Sequence, residues 1–279
     1  MYEHLENLKQ LHGNDIYVQV PNDIFRNLTK HIKNKNGSTN IQQSSFAYTY
    51  IVLMALLYKY AHFVDIGNNT YIQNADIKEM LGYSRTTKSI DAVIKKNGIL
   101  DSIGLTTTTK QYPTSFYLDA SEKFNKVSMR RFVTIDEMDE SEISYKLIKD
   151  VVKNRNYEIK EVTFLFERDG ENGTLYDYCN THTVSLDEVL NFLKSKTLDN
   201  IDFYMYCFLK SKCKGYRANT NSIGLNTIIS QLGISKDAFY SHLKLLEKRN
   251  YFDVTHKGWK TKADEDEQLE SNVYTFRGV

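Results

Sequence analysis

Two stretches of the chain collect Lys, Arg, Ser and Tyr at helical spacing. In the first, Ser84, Arg85, Lys88 and Lys95 fall on one side of a helix turned at about 100° per residue, with Asp91 and Ala92 among them. In the second, Tyr240, Ser241, Lys244 and Lys248 share a side with Asp237, and Ser235 and Lys236 stand at the helix entry. Arg and Lys pair with guanine O6 and N7, and Ser and Tyr hydroxyls reach phosphate oxygens. The chemistry indicated is non-covalent recognition of duplex DNA. The plain alternative is a solvated helix face.

Bond-making chemistry finds no comparable set. No Gly-Lys dipeptide occurs, so there is no phosphate-cradling loop of the G-x-x-x-x-G-K-S/T type. No His-x-His pair occurs to hold a nicking metal. Cys179 and His182 lie three apart, but a zinc site wants four ligands and no second pair has suitable spacing. The 20 tyrosines stand without a clustered Arg-His-Arg set and read as core. The expectation is a non-enzyme without metal or cofactor. The odd count of cysteines (Cys179, Cys207 and Cys213) with no C-x-x-C suits a reducing, cytoplasmic setting. The apolar run from Tyr50 to Tyr58 is too short to span a bilayer, and the polar first ten residues do not read as a signal peptide.

The elements that must position the two basic stretches repeat. Leu81-Gly82-Tyr83-Ser84 matches Leu232-Gly233-Ile234-Ser235, with Ile77 opposite Ile228. Downstream, residues 94–101 (IKKNGILD) match residues 246–253 (LEKRNYFD) with one extra residue in the second copy. Each copy follows an aromatic helix, Phe46–Tyr60 and Phe203–Leu209, and precedes a short alternating stretch. The order reads helix, strand, helix, turn, helix, hairpin. Gly82 and Gly233 tolerate the positive φ that closes a helix, and Ser84 and Ser235 can cap the next one. The stripes Ile90, Val93, Ile94, Asn97 and Phe239, Leu243, Leu246 then face inward. This is a helix-turn-helix signal with a β-hairpin wing after it. The first wing is expected from residues 103–107 and 115–118, the second from residues 254–256 and 273–276.

The expected class is α+β, mainly helical: two winged-helix domains (46–120 and 201–279) joined by a mixed α/β connecting region (121–200), after an N-terminal extension (1–45). In the extension, Leu5, Leu8 and Leu11 suit one helix and Ile24, Phe25, Leu28 and Ile32 another, while residues 34–45 read as loop. In the connecting region, residues 144–153 and 186–193 read as helices, and residues 159–166 and 175–179 as a hairpin about the turn 169–173.

Net charge is only +1, but its distribution is uneven. Residues 201–262 hold 11 basic and 4 acidic side chains, residues 46–120 hold 7 and 6, and residues 121–200 hold 12 and 16. Phosphate contact is therefore expected mainly from the second copy, including the wing residues Lys257, Lys260 and Lys262 beside His256. The acidic run Asp264–Glu267 at that wing would repel phosphate. In the first wing, the hydroxyl-rich stretch Thr106–Lys110 could follow a backbone.

The segment Tyr17-Val18-Gln19-Val20-Pro21, read as a strand, then the aromatic helix and Leu81-Gly82-Tyr83-Ser84, resembles the opening of winged-helix replication initiators and regulators of plasmids and phages from low-GC Gram-positive bacteria. The resemblance covers roughly residues 15–120, and 201–279 in outline. It implies binding of double-stranded DNA at an origin, recruitment of host replication proteins and a homodimer. A transcriptional regulator of mobile-element genes and a protein–protein adaptor are the other readings of the same elements.

Overall fold

The computed structural model describes residues 2–124, 127–165, 180–213, 219–256 and 271–278, the side chains of 119–129 excepted. The fold is α+β, with small antiparallel sheets. In chain order the elements are α1 (Glu3–His12), β1 (Tyr17–Pro21), α2 (Ile24–His31), α3 (Ile41–Lys59), β2 (Val64–Asp65), β3 (Thr70–Tyr71), α4 (Asn74–Met80), α5 (Asp91–Ile94), α6 (Ile99–Ser102), β4 (Thr106–Thr109), β5 (Pro113–Phe124) and β6 (Val127–Thr134). Then come α7 (Ile143–Val151), β7 (Ile159–Val162), β8 (Thr181–Ser185), α8 (Leu186–Leu193), α9 (Asn200–Cys213), β9 (Thr220–Ile223), α10 (Leu225–Leu232), α11 (Lys236–Lys248), β10 (Phe252–Thr255) and β11 (Asn272–Phe276). Among the described residues no helix is long and apolar enough to cross a membrane.

The chain divides into two compact units that are interleaved in sequence. One takes Met1–Pro21 and Thr49–Leu190, the other Asn22–Tyr48 and Asn191–Val279. This division differs from the linear one expected from the repeat. Residues 1–45 are no separate extension: α1 and β1 belong to the first unit and α2 to the second.

In the first unit, β1 pairs with β8, with Val18 opposite Val184 and Val20 opposite His182. The alternation of Val18 and Val20 buries both on one face. The C-terminal part of α3 is apolar on every side and buried throughout, from Tyr50 to Tyr58. In the second unit α9 repeats that arrangement: Phe203 to Leu209 are all buried. Phe25 of α2 packs its ring on Tyr204 and Phe208 at 5.3 and 5.2 Å. The hydroxyl of Tyr204 donates to the Phe25 carbonyl, and that of Thr29 to the Gln231 carbonyl. The N-terminal part of α3 belongs here, and its helix begins at Ile41, so residues 41–45, expected as loop, are helical.

Strand pairing separates the two copies of the repeat. In the second, β10 pairs with β11 as expected, and β11 with β9, giving the sheet order β10-β11-β9. In the first, no hairpin joins residues 103–107 to 115–118. Instead β4 pairs with β7, Thr106 opposite Val162, and β5 pairs with β6. Strand β7 therefore finds its partner in β4, while the expected return strand 175–179 lies outside the described residues.

Candidate nucleic-acid interface

The second basic stretch forms a continuous helix of 13 residues, α11. The preceding helix α10 ends where Gly233 takes the left-handed conformation, φ 67° and ψ 25°, and donates to the Ile229 carbonyl. The Ser235 hydroxyl then accepts from the Ala238 N–H at 3.3 Å, so it caps α11. Phe239, Leu243 and Leu246 are buried on the inner stripe. Ser235, Lys236, Ser241, Lys244 and Lys248 are exposed, with Tyr240 half-buried beside them. The Ser241 hydroxyl donates to the Asp237 carbonyl, one turn back. The structure thus brings the predicted residues of the second helix onto its solvent side. Lys257, Lys260, Lys262 and the run Asp264–Glu267 lie outside the described residues.

The first basic stretch differs. The single helix expected from Ser84 to Asn97 is replaced by turns over residues 84–90 and the four-residue α5. Ser84, Thr86, Thr87 and Ser89 offer the backbone local partners that compete with a helix. The Ser84 hydroxyl accordingly meets the Thr86 hydroxyl at 3.1 Å instead of capping a long helix. Arg85 does not project freely: its Nη1 pairs with Asp76 at 2.6 Å and Glu79 at 3.0 Å. Lys78 pairs with Asp91 and donates to the Thr87 carbonyl. Lys88 and Lys95 are exposed, but on turns, so the four residues share no helical face.

After α5 the chain turns at Asn97, with φ 56°, and after α11 it turns at Asn250, with φ 59°. The matched Gly82 and Gly233 thus share a left-handed backbone, and Asn97 and Asn250, one position out of register in the repeat, give each copy a second such turn, although the helices between them differ. Gly98 is needed for close approach: a Cβ there would lie 2.7 Å from the Lys95 carbonyl. That carbonyl also accepts from Lys160, whose buried ammonium meets Asp101 and Thr108 at 2.6 Å each. Burial lowers the Lys160 pKa against the pull of Asp101. Lys160 pins β4 and the end of α5, and nothing in its local sequence announces this.

Among the described residues, two clusters contain metal-ligating residue types drawn from distant parts of the sequence: His4, His62 and Asp65 in the first unit, and Asp199, Asp202 and His242 in the second. Both are served by protein groups. His4 Nε2 lies 2.8 Å from the His62 carbonyl, and His62 Nε2 lies 2.9 Å from the His4 carbonyl. Asp65 accepts from Asn7 and Asn68. Asp199 caps α9 by accepting from the Ile201 and Asp202 N–H groups. Of the pair weighed from sequence, His182 is buried on β8 and Cys179 lies outside the described residues. Cys207 and Cys213 are buried.

No protein-family model, curated protein or solved structure matches the chain.

Proposed function

We propose that the second unit carries a winged-helix module and that the chain binds duplex DNA sequence-specifically, in plasmid or phage replication initiation at an origin. The observation that carries this reading is α11. It follows α10 through a left-handed glycine turn and exposes Lys236, Lys244 and Lys248 beside Tyr240 and Ser241. The order α9, β9, α10, α11, β10, β11 supports it: β10 and β11 follow the two helices as a wing hairpin would, and β9, which precedes α10, pairs with β11. The first unit is assigned no reading helix, because Arg85 is held by two carboxylates. Without an ATPase motif, initiation would rest on DNA distortion and on host replication proteins.

The test uses the full chain and a duplex selected from a random pool, with anisotropy followed from about 50 to 200 mM salt. Affinity should fall linearly on logarithmic axes, and Lys244→Ala and Lys248→Ala should each reduce the slope by about one unit. Lack of saturable duplex binding, or slopes unchanged in both variants, overturns the proposal. Footprinting on the replicon that encodes the chain then places the site. Protection confined to a promoter would replace initiation by transcriptional regulation.

A further inference from the structure

In the first unit a cleft of about 580 Å³ opens between α7, the loop after it and the start of β5. That volume suits a small molecule rather than a macromolecule. Its lining pairs aromatic rings with cations. Tyr112, Tyr145 and Tyr157 contribute rings, and Lys149, Lys153 and Arg155 line the same space, with Lys110 at the rim.

Three observations distinguish this lining from an ordinary basic surface. First, among the described residues none of these four cations has an acidic partner within ion-pair distance. Lys110 reaches only the Asn156 amide oxygen, at 3.3 Å. Lys149 lies in the last turn of α7, where the helix end favours a cation. Lys153 and Arg155 lie beyond that turn and have no such reason to be there. Second, the carboxylates in the lining are Asp136 and Glu140. Asp136 already accepts from Gln111 and Thr134 at 2.7 Å each, so it is not placed to neutralise the lysines. Third, Tyr112 is 2% exposed and its hydroxyl has no partner. A buried hydroxyl left unpaired costs about 1–3 kcal/mol and calls for an explanation such as an absent ligand. The ring of Tyr112 is seated edge-on against Tyr157 at 5.1 Å, so the hydroxyl cannot swing away without breaking that packing.

We propose that this cleft is a binding site for a nucleoside phosphate: Lys149, Lys153 and Arg155 take the phosphate, the half-buried Tyr145 stacks on the base, and the Tyr112 hydroxyl takes a polar atom of the ligand. Cations with no carboxylate at ion-pair distance favour an anion, and aromatic faces favour a planar ring, so a ligand carrying both uses both parts of the lining. The hydroxyl is closed from solvent, so the ligand reaches it by displacing neighbouring side chains.

The experiment is calorimetric titration of the full chain with ADP, AMP and inorganic phosphate, in parallel with a duplex-binding assay. ADP is expected to bind saturably and at least ~10-fold more tightly than inorganic phosphate. Lys153→Ala with Arg155→Ala should lose ADP affinity by at least ~10-fold, and Tyr112→Phe by about threefold, with the thermal midpoint and duplex affinity unchanged. Should the double variant fold poorly, the single changes Lys153→Gln and Arg155→Gln carry the same test with smaller losses. Absence of saturable ADP binding at about 1 mM overturns the proposal. Equal affinity for ADP and inorganic phosphate reduces the cleft to an anion patch and also overturns it. A parallel loss of duplex affinity in the Lys153 and Arg155 variants would reassign those cations to DNA.

Discussion

His242 of α11 places its Nδ1 2.8 Å from Oδ1 of Asp202, a carboxylate that is 1% exposed in the first turn of α9. The inner side of the helix that carries Lys244 on its outer side is therefore held by a polar contact as well as by Phe239 and Leu243. Burial opposes charge on His242, but the hydrogen bond and charge of Asp202, aided by Asp199, prevail and raise its pKa above the ordinary imidazole value.

The pH dependence of this contact follows. A raised folded pKa means that protonation favours the folded state, so the stabilisation is fully present below about 6.5 and fades as pH rises through the folded value. His242→Gln should cost about 1–3 kcal/mol at about pH 6 and less at about pH 8.5. Thermal midpoints of the two proteins at both pH values measure the difference. A gap that stays constant with pH would show that the contact does not titrate.

The first unit should respond to acid in the opposite way. Burial and the neighbouring His4 push His62 down to about 4, and burial lowers His4 as well. The unfolded chain takes up these protons near pH 6.5, whereas the folded pair resists them. Stability is then present above about 6.5 and is lost as pH falls toward 4. His62→Gln, which keeps an N–H donor for the His4 carbonyl, should flatten that loss. Denaturant midpoints at about pH 7 and pH 5 report it, and equal slopes in both proteins would exclude the histidine pair as the cause.

Gly233 and Gly82 share a positive φ but not their surroundings. A Cβ at Gly233 would stand 2.4 Å from the Thr39 side chain, whereas nothing lies within 4 Å of one at Gly82. Gly82→Ala should cost about 1–2 kcal/mol from backbone conformation alone, and Gly233→Ala clearly more. Adding Thr39→Gly to Gly233→Ala should recover the excess. Chemical denaturation of the three variants tests the ranking, and equal costs for the two alanine changes would contradict it.

What could be read from the sequence was local. Gly233 closing α10, Ser235 capping α11 and the stripe Phe239, Leu243, Leu246 all act within a turn or two of themselves. The same reasoning overreached at Ser84, because a Leu-Gly-x-Ser turn marks where a helix can start but not whether Thr86 and Thr87 let it continue. Long-range partners left no local trace. The apolar stripe of α2 is legible, but its packing of Phe25 against Tyr204 is not. Lys160 looks like any lysine of an alternating strand until α6 brings Asp101 and β4 brings Thr108 to it. His4 and His62 meet across 58 positions, so neither reads as half of a pair.

The interleaving of the two units sets an order of events during synthesis. Residues 22–48 leave the ribosome long before residues 191–279, which complete their core. At about 5–20 residues per second that interval lasts roughly ten seconds or more. Through it Phe25 of α2 has its stacked neighbour Tyr48 but lacks Tyr204 and Phe208, so the apolar faces of α2 and of the start of α3 are only partly covered. The first unit is not delayed to the same extent, because its last strand is complete by Ser185. The second unit therefore matures only after residues 191–279 have emerged, and its early segment, residues 22–48, is where chaperones, or other nascent copies, would find exposed aromatic surface.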